Sequence, residues 1–334
     1  MTGSPPLRYR LTDDDIDRMV DKLLFIGPDA GNKRSAYWVL LGLAAVIATA
    51  GVASDSTATV IGAMIVAPLM TPILGTALAL VLARKPAMLR SLLYVVGGAL
   101  LVIAVGYAFG AMDPIGMASE TNTQVNGRIN PRLIDLIAAL ATGTVGAFAL
   151  VRSDVSDTLP GVAIAISLVP PLAVVGLLLE AGRYEEALGA LLLFGTNVTA
   201  IIATGIAVLL AYRLREVAQA SGAEVGKLGG RTLVAVAALV VLVAVPLSLG
   251  TARVVADRLA EAEASPIATA WAEARGWRVA SLQVRDGTLR LIALGPPPEV
   301  DPETLRAELD AADLDLDLVI SLVVGGQREL PARP

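Results

Sequence analysis

Long apolar runs, separated by short polar breaks, fill the chain to about residue 252. There are seven: Ser35–Ser54, Ser56–Ala83, Ser91–Met112, Leu133–Val151, Thr158–Leu179, Ala187–Tyr212 and Thr232–Ala252. A bilayer core needs about 20 apolar residues in a helix, so each run is read as a membrane span. All lack charge except the fourth, which carries Asp135 near its start. The runs are rich in Gly, Ala, Ser and Thr, which let helix backbones approach closely in lipid and predict a tightly packed bundle.

The two ends break the pattern. Residues 1–34 are polar, carry Asp13, Asp14, Asp15, Asp17 and Asp21, and contain no signal peptide. Thr12 with Asp15 predicts an N-cap for a short amphipathic helix to about Phe25, with Ile16, Met19, Val20, Leu23 and Leu24 on its apolar face. Residues 35–252 form the transmembrane domain. Residues 253–334 read as a small soluble domain in the order α-β-β-α-β, with helices on one face of a sheet. Its helices are expected over Ala252–Trp271 and Pro302–Ala311, the latter capped by Asp301. Its strands are Trp277–Val284, Thr288–Leu294 and Leu316–Val324, with Asp286-Gly287 as the hairpin turn.

The two halves of the bundle resemble each other. Ser54-Asp55-x-x-x-Thr59-x-x-Gly62 recurs at one offset as Ser153-Asp154-x-x-x-Thr158-x-x-Gly161. Each copy opens a span that prolines then interrupt, Pro68 and Pro72 in the first and Pro170 and Pro171 in the second. A three-span unit must insert its second copy upside down, which predicts a 3+3 inverted repeat with two broken helices, plus an unpaired seventh span. That architecture is common among secondary transporters. Proline frees backbone carbonyls that lipid cannot satisfy, so the two breaks are expected to meet at the bundle centre. Half-helices starting at Pro72 and Pro171 would aim exposed N–H groups there, which suits an anion or a polar neutral ligand. The alternative is a pair of kinked helices packed for shape alone.

Composition narrows the chemistry. The mean hydropathy is +0.69. Only 17% of residues are charged, against about 25% in a soluble domain. With no Cys and no His, thiol and imidazole catalysis and the usual zinc and haem ligands are excluded. No nucleotide-binding, nucleophile or metalloprotease motif is present, so the chain is not expected to be an enzyme, and no cofactor or metal is called for. No basic stripe suggests nucleic acid.

The stretch Val60-Ile61-Gly62-Ala63-Met64-Ile65-Val66-Ala67-Pro68-Leu69-Met70-Thr71-Pro72-Ile73 resembles the first signature of the bacterial and archaeal membrane family catalogued as domain of unknown function 389. Leu133–Leu140 and Gly161–Leu172 are similar to its later signatures, and the resemblance covers about residues 36–212. A Ser-Pro-Asp-Leu-like stretch of the family reads Asn130-Pro131-Arg132-Leu133 here. The resemblance implies the fold and no settled activity.

Candidate ligand-binding residues are Pro68, Thr71, Pro72, Ser167, Pro170 and Pro171 at the breaks, with Asp55, Asp154, Asp135 and Asn197. Asp55 and Asp154 are either ligand contacts or helix caps. Asp135, with Arg132 one turn earlier, either couples ions and positions a ligand or caps its helix. Asn197, beside Thr196 and Thr199, is either interhelical glue or a ligand contact. Together these residues predict a transporter or channel-like protein that takes a small polar or anionic solute between two broken helices. The alternative is a ligand-sensing receptor or scaffold signalling through the C-terminal domain. The Lys and Arg bias puts the N-terminus inside a cytoplasmic membrane and the C-terminal domain outside. The lipid bilayer and other copies of the chain are the expected partners.

Overall fold

A computed structural model describes residues 11–112, 122–129, 131–152, 168–220, 256–257, 259–285, 287–297, 301–312 and 314–324. The chain divides into two compact units, Met1–Leu247 and Ser248–Pro334.

The first unit is all helical among the described residues. Its elements are α1 (Asp13–Leu23), α2 (Ala30–Ala53), α3 (Thr57–Val66), α4 (Met70–Val81), α5 (Lys85–Ala111), α6 (Thr123–Ile129), α7 (Leu133–Val151), α8 (Val169–Glu180), α9 (Tyr184–Ala211) and α10 (Leu214–Ala220). Among the described residues, four helices are long and apolar enough to cross a membrane: α2, α5, α9 and residues Ile134–Val151 of α7. The pair α3 and α4 makes up to a fifth span, bent by 46° at its break. These helices mark a membrane-embedded protein. Of the seven expected spans, the fifth is described only from Leu168 onward, and Thr232–Ala252 lies outside the described residues.

The bend follows from the sequence. Pro68 has no N–H to offer Met64, so α3 stops at Val66 with Ala67 in an extended conformation. The chain then restarts as α4 with Leu69 at the N-cap. A second restart lies 99 positions on, where Leu168 is the N-cap of α8. Both half-helices contain 12 residues. They also end alike. Ala83 N donates to Leu80 O at 3.0 Å and Arg84 N to Ala79 O at 2.9 Å. Gly182 N donates to Leu179 O at 3.3 Å and Arg183 N to Leu178 O at 2.9 Å. This is the paired bonding of a left-handed helix stop, with φ of 53° at Ala83 and 72° at Gly182. Arg84 and Arg183 then serve as N-caps of α5 and α9.

Side contacts fix the directions. A Cβ on Gly106 would lie 2.6 Å from the Ala173 carbonyl oxygen and 3.1 Å from Gly176 Cα, and one on Gly110 would touch Glu180. The α8 numbering therefore rises alongside that of α5, and the two run parallel. A Cβ on Gly205 would lie 3.1 Å from Ala77 Cβ and 3.3 Å from Leu74 Cδ2, and Arg215 Nη1 donates to Val81 O at 3.1 Å. Helix α9 is thus parallel to α4. Because α4 and α5 form a tight antiparallel hairpin, α4 and α8 point in opposite directions. The glycine contacts trade places under the same spacing: Gly205 stands 99 positions after Gly106, and Leu74 and Ala77 stand 99 before Ala173 and Gly176.

Helix α1 opens with the expected capping box, Thr12 N donating to Asp15 Oδ2 at 3.1 Å and Asp15 N to Thr12 Oγ1 at 3.4 Å. Ile16, Met19, Leu23 and Leu24 are buried against α4, α7 and α10, so this helix lies on the bundle.

The second unit is a three-stranded sheet in the order β1-β2-β3, with β1 Arg278–Arg285, β2 Thr288–Gly295 and β3 Asp317–Val324. Strands β1 and β2 are antiparallel around Gly287, at φ 73°, and β3 is parallel to β2. A helix over 259–273 and α12 (Glu303–Ala311) cover one face; the former is designated α11. Alternation along β2 turns Leu289, Leu291 and Ala293 inward against Ala264, Ala268, Trp271, Leu305 and Leu309. The last helix starts one residue later than expected, with Pro302 at the N-cap, and Asp301 Oδ1 accepts from Glu303 N at 3.0 Å from just outside it.

Candidate functional site

The restart points of α4 and α8 can be levelled against the long helices at about 1.5 Å per residue. Gly205 meets Leu74 and Ala77, so Met70 is level with residues 198–201 of α9. Gly106 meets Ala173 and Gly176, so Val169 is level with residues 99–102 of α5. A Cβ on Gly98 would touch Leu69 Cδ2 at 3.0 Å, which sets the first break beside the middle of α5. The two half-helices therefore start within about one turn of the same depth, about 6 Å, and run away from each other. Pro72, Pro170 and Pro171 are buried there, while Pro68 and Thr71 are half-buried.

The buried polar side chains at this depth come from α9. Thr196 is 3% exposed, Asn197 0% and Thr199 8%. Asn197 stands 99 positions after Gly98, at the middle of α9. Thr76 of α4 is buried too, and its Oγ1 donates to Pro72 O at 2.9 Å, taking up a carbonyl near the break.

One expectation is corrected. The half-helices do not begin at Pro72 and Pro171 but two residues earlier, at Met70 and Val169. Both prolines thus fall at the third helical position, with Pro170 at the second. Proline lacks an N–H, so these residues subtract donors from the first turns instead of exposing them. In α4, Thr71 N donates to Pro68 O at 3.2 Å. The axial dipoles remain, but the polar capacity at this depth rests on hydroxyls and the Asn197 carboxamide.

The remaining candidates lie elsewhere. Asp55 follows α2 at φ 51° and is exposed. Its Oδ1 accepts from Thr123 Oγ1 at 2.6 Å and Gln124 N at 3.1 Å, so it closes the start of α6, while Ser56 caps α3. The Thr123 hydroxyl, above all, holds the Asp55 carboxyl below its usual range. Asp135 occupies the third position of α7, where Oδ2 accepts from Arg132 N at 2.9 Å and pairs with Arg132 Nε at 3.4 Å. Burial lowers the pKa of Arg128 on α6, and the charge of Asp135 opposes that shift. Asp154 and Ser167 lie outside the described residues.

Helix α6 escaped the hydrophobic reading because it is too short to carry a period. Its signal is local: Asn122 caps it, Oδ1 accepting from Val125 N at 3.0 Å.

Both restarts fall inside one recognisable segment. Residues 64–203 match the family described as Domain of unknown function (DUF389). This part of the chain belongs to that family. The DUF389 segment runs from α3 into α9 and takes in both half-helices. An uncharacterized protein of Methanocaldococcus jannaschii is 33% identical over 209 residues, covering 62% of this chain and 64% of the relative. The chain thus spans less than two thirds of that archaeal protein's length. No solved structure matches.

Proposed function

We propose that the chain is a transporter or channel-like membrane protein, not an enzyme, built from two inverted three-span copies around a central solute site. The observation that carries this reading is the exchange of contacts between the copies. Gly106 of the first meets Ala173 and Gly176 of the second, and Gly205 of the second meets Leu74 and Ala77 of the first. Chance similarity in apolar sequence does not produce reciprocal contacts, whereas a two-fold axis between inverted copies requires them. The solute is small and polar or anionic. The loss of first-turn donors to Pro72, Pro170 and Pro171 favours a neutral polar solute held by Thr71, Thr196, Asn197 and Thr199.

The N-terminus is inside. Lys33, Arg34, Arg84, Lys85, Arg90, Arg152, Arg213 and Arg215 flank helix ends that this topology puts on one side. With a seventh span the C-terminal domain is outside, and the small-residue helix faces suit a homo-oligomer in the membrane.

A thermal-shift screen with nucleosides, carboxylates and inorganic anions tests the site, followed by flux of any hit into proteoliposomes. Stabilisation by a polar solute, its loss in Asn197→Leu, and saturable flux are expected. Stabilisation without flux supports the receptor reading instead, which the separate Ser248–Pro334 unit favours. Neither stabilisation nor flux removes the solute site.

A further inference from the structure

Two short helices sit outside the spans, and they make similar ties although the spacing of 99 does not relate them. Helix α1 precedes α2, the first span of the first copy. Helix α6 precedes α7, the first span of the second copy. Each ends with its last carbonyl against a glycine of its own copy: Leu23 O against Gly75 of α4, and Ile129 O against Gly189 of α9. Each also reaches into the other copy, and both reach the same place. Arg18 Nη2 donates to the carbonyl of Leu150, the penultimate residue of α7, at 3.2 Å. Asn122 Nδ2 donates to the carbonyl of Val52, the penultimate residue of α2, at 2.8 Å. Helix ends leave such carbonyls without intrahelical partners, so side chains of another element can take them.

The two helices lie at opposite ends of the bundle. Helix α6 adjoins the start of α7 and α1 its end, and the 19 residues of α7 span about 28 Å. The first span of each copy leads directly into that copy's broken span. In the first copy α2 ends at Ala53 and α3 begins at Thr57, so a tie on the last turn of α2 fixes where that broken span enters the bundle.

We infer that α1 and α6 are paired latches, one at each end, each fastening its own copy to the last turn of the other copy's first span, so that opening one end and opening the other are alternatives. This rests on the inverted-repeat reading given above. The latches differ in build. At the α1 end the guanidinium of Arg18 bridges Leu150 O and Asp15 Oδ1, the latter at 3.2 Å, and Asp15 is 4% exposed. At the α6 end the Asp55 carboxylate holds Thr123 and Gln124, and Gln124 Nε2 reaches Thr57 Oγ1 of α3 at 2.9 Å. The α6 latch thus grips the broken span itself through α3. The α1 latch grips only the helix end before it.

The chain has no cysteine, so one introduced thiol reports alone. In Thr71→Cys, the rate of reaction with a membrane-impermeant maleimide is measured from each side of sealed vesicles. Two backgrounds release one latch each. Asp55→Gly removes the carboxylate and keeps a residue at ease at positive φ. Arg18→Met keeps the apolar stem and removes the donor. Asp55→Gly is expected to raise labelling severalfold from the α6 side and lower it from the other side. Arg18→Met should do the reverse. Asp55→Asn, which keeps an acceptor and tolerates the left-handed backbone, should fall between wild type and Asp55→Gly. If Thr71→Cys reacts but the two releases act on the same side, or on neither, the latches are ordinary packing and the inference fails while the central site stands. If Thr71→Cys is unreactive from both sides in every background, the water-accessible site itself is gone, and the latches have nothing to gate.

Discussion

Residues 69–88 and 168–187 trace the same path with different side chains. Each has a leucine N-cap, a half-helix with proline at its third position, a left-handed stop and an arginine N-cap. Leucine at the N-cap, proline at the third position and arginine at the next N-cap are shared, while the left-handed stop is Ala83 in one and Gly182 in the other. Polar groups show the divergence most clearly. Half-helix α4 carries hydroxyls at Thr71 and Thr76, where α8 has Pro170 and Val175. Helix α9 carries polar side chains at Thr196, Asn197 and Thr199, where α5 has Gly97, Gly98 and Leu100 at the matching positions. The polar side chains near the breaks thus sit at positions where the matching element carries none.

The crossing glycines offer the harshest test of this correspondence, because their neighbours differ. A Cβ on Gly106 meets a backbone carbonyl at 2.6 Å, which cannot move without displacing α8. A Cβ on Gly205 meets side-chain atoms at 3.1 Å and 3.3 Å, which can yield by a few tenths of an ångström. Gly106→Ala should therefore destabilise by about 1–3 kcal/mol, as overpacking does, and Gly205→Ala by clearly less. Thermal unfolding of the detergent-solubilised chain measures both. Equal losses would mean that the two crossings are not related contacts with different tolerance.

The paired left-handed stops give a smaller effect of opposite sign. Alanine at φ 53° is strained where glycine at 72° is at ease. A Cβ on Gly182 meets nothing within 4 Å, so Gly182→Ala reads the backbone cost alone, about 1 kcal/mol. Ala83→Gly should stabilise by less, since glycine relieves the strain but widens the unfolded ensemble. Unfolding midpoints of the two variants should move in opposite directions.

Much of this architecture was legible because the bilayer imposes length and apolarity on every span. The runs foretold α2, α5, α7 and α9, and Pro68 foretold the bend between α3 and α4. The start of α4 was misjudged by two residues, since Pro72 is tolerated in a helix's first turn as readily as it breaks one. In the C-terminal unit, Asp286-Gly287 foretold the hairpin by turn chemistry, and Asp301 marked the start of α12 to within a residue of its Pro302 N-cap. Sequence could not reveal which candidates share a depth. Of the acidic candidates only Asp135 falls inside an apolar run, and of the two readings left open for Asp55 and Asp135 the geometry shows each closing a helix start. Only the levels set by Gly98, Gly106 and Gly205 separate them from Thr71 and Asn197. The short α6 was invisible to a periodicity argument, although half the latch scheme depends on it.

The finest probe of the difference between the two ends is acid. The Thr123 hydroxyl and, more weakly, the Gln124 backbone hold the folded pKa of Asp55 below its unfolded value. A depressed carboxyl contributes stability above the unfolded pKa and loses it as pH falls through the folded one. Between about pH 6 and about pH 3, the stability advantage of wild type over Asp55→Asn should shrink, because both side chains end up uncharged. The effect should be small, as Asp55 is exposed and water screens it. Its asymmetry is the informative part. Acid slows maleimide addition everywhere by protonating the thiol, so in Thr71→Cys the quantity to follow is labelling from the α6 side relative to the other side at the same pH. That ratio should rise in acid as it does in Asp55→Gly, and the increment should vanish when Asp55→Gly is already present. An acid increment that survives Asp55→Gly unchanged would assign it to other carboxylates and leave Asp55 a plain helix cap.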